Sequence, residues 1–190
     1  MIDPRIEPQT ECLSHAPAPW QPGLSRRLWL RSTLGLAVTW SPTAHALEAP
    51  TGAVVLTLSG RIRNPNAGAL AQFDMAMLAA LPNQTLQART PWYGRVRRFT
   101  GPLLRDVLAA AGAQGVKLRL AALNEYQVDM PWEDSLRYDV IVARLLDDKP
   151  MSVRDKGPLF VIYPFDSQPE LRSAIYYSRS AWQLRYIEVR

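Results

Sequence analysis

Lys117-Leu118-Arg119-Leu120-Ala121-Ala122-Leu123-Asn124-Glu125-Tyr126-Gln127-Val128-Asp129-Met130 decides the fold class. Charged and apolar residues alternate over 117–120, and Tyr126, Val128 and Met130 alternate with Gln127 and Asp129. A period of two puts one face of each run in a core and the other in water, so both read as strands. Leu123-Asn124-Glu125 is the turn between them. Two consecutive strands with so short a link form an antiparallel hairpin, which a strictly alternating βαβ chain would not contain.

Working outward, Pro131 to Ser135 reads as a helical turn and Asp139 to Leu146 as a mostly apolar strand, closed by the turn Asp147-Asp148-Lys149-Pro150. Leu159 to Tyr163 is fully apolar, bounded by Gly157-Pro158 and Pro164, and is expected to be the central strand. Asp166 to Ser180 is polar with a few apolar anchors, and Gln183 to Val189 is a closing strand. Upstream, Ala53 to Ile62 reads as a strand, with a turn at Asn64-Pro65-Asn66. Phe73 to Leu81 has helical spacing and stops at Pro82. Thr85 to Thr90 reads as a strand, and Arg95 to Phe99 either pairs with it or loops. Gly101-Pro102 is expected to open a second helix, with Gly112 at its C-terminal cap. Helices and strands do not alternate strictly, so the fold class is α+β in a single domain over residues 47–190.

The chain has 190 residues with a formal charge of +5, 47% hydrophobic and 21% charged. That balance belongs to a folded globular domain, and the scattered positive charge argues against a nucleic-acid partner. No run reaches the ~20 apolar residues of a membrane-spanning helix. Residues 1–24 are polar and proline-rich. Ser25-Arg26-Arg27-Leu28-Trp29-Leu30-Arg31, a short apolar stretch and Ser41-Pro42-Thr43-Ala44-His45-Ala46 then follow the order of an export signal, with cleavage expected after Ala46 and a periplasmic destination. The paired arginines resemble a twin-arginine signal; an ordinary secretory signal is the alternative.

Cys12, His15 and His45 are the only cysteine and histidines. Removal of 1–46 leaves no thiol and no imidazole, and with them goes thiolate–metal ligation and His- or Cys-based catalysis. The remaining candidates are binding groups. Arg154-Asp155-Lys156-Gly157-Pro158 sets two cations and a flexible glycine before an apolar strand, which suits an anion such as phosphate; a solvated turn is the plain alternative. Arg179 beside Trp182 suits a planar ligand by stacking. Arg89, Trp92, Arg95, Arg97 and Arg98 form the most basic stretch, suited to an anionic ligand or an acidic partner. Asn124 and Tyr126 flank the hairpin turn, with Tyr126 in the core as the alternative. Asp129, Glu133 and Asp134 offer paired carboxylates, the weakest of these candidates.

Three segments in order, Phe99-Thr100-Gly101-Pro102-Leu103-Leu104-Arg105-Asp106-Val107-Leu108, Asp147 to Leu159 and Ser180 to Val189, resemble the oxidoreductase molybdopterin-binding domain, the sulfite-oxidase-like fold, in particular its small exported members. The resemblance covers roughly 54–190. It implies an α+β fold with mixed sheets, a loop at Arg154–Gly157 on the cofactor side, and Asn124 and Tyr126 near a pterin. It also implies, in catalytic members, molybdenum bound by a cysteine on the segment before the Phe-x-Gly-x-x-Leu helix start. Here that segment, Leu86 to Tyr93, holds no cysteine, and Glu125 stands where pterin-binding relatives have a small residue. The expectation is therefore a domain without a cofactor that acts as a binding, accessory or sensory protein. Its partners would be a small anionic or planar ligand and a membrane signalling or redox protein. A molybdopterin-dependent oxidoreductase with an altered metal site is the first alternative, and an interaction protein with a filled pocket the second.

Overall fold

The computed structural model describes residues 47–190. The expected export signal and its cleavage site lie outside the described residues.

The expected hairpin forms: β5 (Lys117–Ala122) pairs antiparallel with β6 (Gln127–Pro131), Leu120 opposite Val128. Glu125 takes the left-handed conformation (φ 65) that the tight turn requires. The hairpin is the flank of a five-stranded sheet that also contains β1 (Val54–Gly60), β2 (Ala71–Asp74) and β11 (Leu184–Val189), in the order β2-β1-β11-β5-β6. β1 and β11 run parallel and the other pairs antiparallel, so the sheet is mixed. β3 (Asn83–Ala88), β4 (Arg97–Pro102), β8 (Leu145–Leu146) and β9 (Lys149–Pro150) make a second, antiparallel sheet. β7 (Ile141–Ala143) pairs with β10 (Phe160–Ile162) in a third. One continuous core joins them, with Phe73, Phe99, Phe160, Tyr163 and Phe165 among its largest members. The four α-helices among the described residues are short: α1 (Met75–Ala80), α2 (Leu104–Ala110), α3 (Trp132–Arg137) and α4 (Ala174–Arg179). The α+β class with mixed sheets is as expected, and no helix among the described residues is long and apolar enough to cross a membrane.

Four local expectations change. Leu159–Tyr163 is fully buried but belongs to the two-stranded ladder; β11 is the central strand. An apolar run reports burial on both faces, not position in a sheet, and Pro158 and Pro164 lack the N–H groups to extend the ladder. Asp139–Leu146 is not one strand. It breaks at Arg144, whose N–H donates to Thr100 O and whose Nε donates to Asn83 Oδ1, and so passes from β10 to β4. The helix expected from Phe73 starts at Met75, because Asp74 caps it by accepting from Met77 N at 2.8 Å. The same carboxylate accepts from Thr51 N and Gly52 N, and these backbone donors hold it below the usual carboxylate range. Gly101 and Pro102 close β4 rather than open α2. Gly112 does follow α2 in the left-handed conformation (φ 61).

On the exposed side of the hairpin, Asp129 accepts from Arg119 Nε at 2.9 Å and Lys117 Nζ at 3.1 Å. Arg119 first, then Lys117, lowers its carboxyl from 3.8 to about 2. The unfolded chain therefore takes up this proton first as pH falls. The pair's contribution is complete above 3.8 and disappears on the way to about 2. Asp129→Asn is expected to flatten that limb: melting temperature followed against pH should fall less steeply across this window than in the wild type. An unchanged slope would count against the pairing.

Candidate functional site

Three loops and one helix meet at an open cleft of about 520 Å³. From the link between β3 and β4, Trp92 presses its ring edge-on to Phe160, centroids 5.1 Å apart, and to Tyr177 of α4 at 6.0 Å. Such edge-to-face contacts hold a large ring in one orientation. The β5–β6 turn supplies Asn124 and Tyr126, and Tyr126 is not in the core: it is exposed, and its hydroxyl donates to Ser178 O at 2.8 Å, tying the turn to α4. Trp182 stands just ahead of β11, bridged to Phe160 by backbone pairing. Pro91, Ala174, Ser178 and Ser180 complete the lining. The Ser178 and Ser180 hydroxyls donate to Ile175 O and Tyr176 O, so neither is set up as a nucleophile.

The loop before β10 reaches the same neighbourhood. Lys156 (φ 72) accepts from Gln183 N through its carbonyl, and Val153 O accepts from Gln183 Nε2. Lys156 Nζ then lies 5.6 Å from the Trp182 ring centre and 5.3 Å from that of Tyr93. The cation on Trp182 is thus Lys156, not Arg179 as its sequence position suggests. Arg179 turns to the other side of α4, where Nη1 donates to Asp134 Oδ2 at 2.9 Å. Tyr163 donates to the same oxygen at 2.7 Å, and burial, then this carboxylate, pushes its phenol far above the usual range.

The expected residues therefore separate. Trp92, Asn124, Tyr126 and Trp182 line one cleft, with Lys156 against Trp182. Arg89 lies in an adjoining recess with Thr90, Asp166 and Arg172 that shares Pro91 and Tyr177 with the cleft. Arg154 is exposed and apart. Gly157 is buried, and the side on which a ligand would approach is filled by Met151, whose carbonyl occupies the place of an added Cβ. The basic stretch is largely neutralised: Arg95 and Arg97 approach Asp147 at 3.5 and 3.0 Å, and Arg98 pairs with Asp148. Of the acids Asp129, Glu133 and Asp134, expected to offer paired carboxylates, Asp129 and Asp134 are held by different cations.

Tyr177, Asp166 and Arg172 escaped the sequence reading. They lie in the polar stretch 166–180, where no periodicity marks which side chains turn inward. The cleft offers two indoles, two phenols, an amide and a neighbouring ammonium. That set stacks on a planar molecule and hydrogen-bonds its edge. No described residue is a cysteine or histidine. At the segment where the resemblance places a metal-binding thiolate, the polar side chains at the recess are the Arg89 guanidinium and the neutral hydroxyl of Thr90. A soft metal needs a soft donor, so the residues present do not fit a molybdenum centre. No protein-family model matches the chain, and no curated protein matches it.

Proposed function

We propose that residues 47–190 form an exported, non-catalytic binding domain of the sulfite-oxidase-like kind, which takes a small planar ligand against Trp92 and Trp182 and signals its occupancy to a partner protein. The observation that carries this reading is the convergence of Trp92, Asn124, Tyr126, Tyr177 and Trp182, from separate parts of the chain, on one open cleft. An interaction protein whose pocket is filled by its own side chains has that open volume against it. The altered oxidoreductase retains the Ser25–Arg31 signal run in its favour, since the twin-arginine route carries folded, cofactor-loaded proteins.

Intrinsic fluorescence is the direct test, because two of the three tryptophans in 47–190 are at the cleft. Titration with flavin mononucleotide and with pterin-6-carboxylate as planar probes is expected to quench it saturably. Trp182→Ala should weaken that binding about tenfold, since stacking on an aromatic is worth about 1–3 kcal/mol. Absence of saturable quenching by either probe would remove the binding reading. Molybdenum and pterin analysis of protein from its own host addresses the alternative: one metal atom per chain, with turnover of a sulfite-like or sulfoxide substrate, would replace the non-catalytic assignment.

A further inference from the structure

The recess beside the cleft has its own chemistry. It measures about 520 Å³ and is walled by Arg89, Thr90, Asp166 and Arg172, with Pro91 and Tyr177 shared with the aromatic cleft. Thr90 is 95% buried, and its hydroxyl has no hydrogen-bond partner. Native proteins rarely leave such a group unpaired, because the desolvation cost is not recovered. The hydroxyl is therefore a polar group without a partner on a residue that lines the recess, and it can donate to an acceptor bound there.

The charges around it are unequal. Arg172 donates through Nη2 to Asp166 Oδ1 at 2.7 Å and through Nε to Phe165 O at 2.9 Å, which fixes the guanidinium plane and leaves Nη1 unengaged. Asp166 Oδ2 accepts from Arg89 N at 3.0 Å, so both carboxylate oxygens already face protein donors. Among the described residues the Arg89 guanidinium forms no ion pair or hydrogen bond. Two guanidiniums against one carboxylate leave a net positive recess with unengaged N–H donors on both arginines. Guanidinium forks match the geometry of tetrahedral oxyanions.

We propose that this recess is an oxyanion site, taking a phosphate or sulfate group between Arg89 and Arg172, with the Thr90 hydroxyl as a third donor. The site replaces the Arg154–Gly157 loop as the anion-binding element, and it stands whether or not the aromatic cleft is occupied.

The test uses the purified protein at low ionic strength. Inorganic phosphate and, separately, sulfate are titrated by calorimetry and by melting temperature, against sodium chloride and sodium acetate at matched ionic strength. Saturable binding of phosphate or sulfate, with a rise in melting temperature that neither control produces, is expected. Arg89→Ala should weaken it about tenfold and Arg89→Lys less, because the ammonium keeps the charge and loses the fork. Thr90→Val keeps the shape and removes the hydroxyl; it should weaken oxyanion binding several-fold while leaving the ligand-free melting temperature unchanged or raised. Equal stabilisation by the controls, or a Thr90→Val affinity equal to wild type, would overturn the site. Phosphate binding without planar-probe quenching, or the reverse, separates failure of this site from failure of the cleft.

Discussion

Asp134→Asn is expected to lower stability by about 3 kcal/mol, the low end of the cost of leaving one member of a buried ion pair without its partner, because the arginine of this pair is partly exposed. In a domain of this size that corresponds to a fall in melting temperature on the order of 10 °C. Asp134 sits in α3 with its side chain 10% exposed, and Arg179 at the end of α4 is 21% exposed. The carboxylate also accepts from the Tyr163 hydroxyl. Asparagine retains a carbonyl acceptor for Tyr163 but no charge for the guanidinium. Two controls separate charge from hydrogen bonding. Tyr163→Phe removes only the phenol and should cost about 1–2 kcal/mol. The double variant Asp134→Leu with Arg179→Met removes both charges and should be more stable than Asp134→Asn alone. Thermal and chemical denaturation of the four proteins measures this, and an Asp134→Asn protein within about 1 kcal/mol of wild type would show that the pair does not hold α4. The link to function is that α4 carries Ala174, Tyr177 and Ser178, so the pair positions one wall of the cleft.

Gly157→Ala is expected to be at least as damaging, with a loss of about 3 kcal/mol or more, or no folded protein recovered. The added methyl would meet the Met151 carbonyl and lie 2.6 Å from the Met151 carbonyl carbon. Backbone cannot move aside as a flexible side-chain end can, so the cost exceeds the 1–3 kcal/mol common for overpacking. Gly157 N also donates to Ser152 O at 2.8 Å, which locks the 152–157 turn that brings Lys156 to Trp182. Secondary structure by circular dichroism and the melting temperature report the outcome. An alanine variant with wild-type stability would restore the idea that the glycine is there for a ligand rather than for Met151.

Much of the local structure was legible in the sequence. Alternation at 117–120 and 126–130 marked the hairpin, and Asn124-Glu125 marked its turn. Trp182 was recognisable as a candidate for stacking and Trp92 as part of a basic binding stretch, and both line the cleft. The misreadings share a cause. Phe73 fitted a helical period and lies in β2, because Asp74 makes a better cap than any residue before it. Arg179 is three positions from Trp182 in the chain and faces Asp134 instead, because a charged hydrogen bond to a buried carboxylate is stronger than a cation's contact with a ring.

The residues alone established an α+β chain, its turns, and the lack of thiol and imidazole in 47–190. These follow from short-range patterning and from counting, which need no knowledge of distant neighbours. Only the tertiary structure decided that β11 lies at the centre of its sheet beside β1, that Lys156 rather than Arg179 meets Trp182, and that Thr90 and Arg172 share a recess with Arg89. Thr57 pairs with Tyr186, and Arg89 meets Asp166, across stretches of chain far longer than any periodicity spans. Such contacts are chosen by the packing of the whole core, and local pattern carries no record of them.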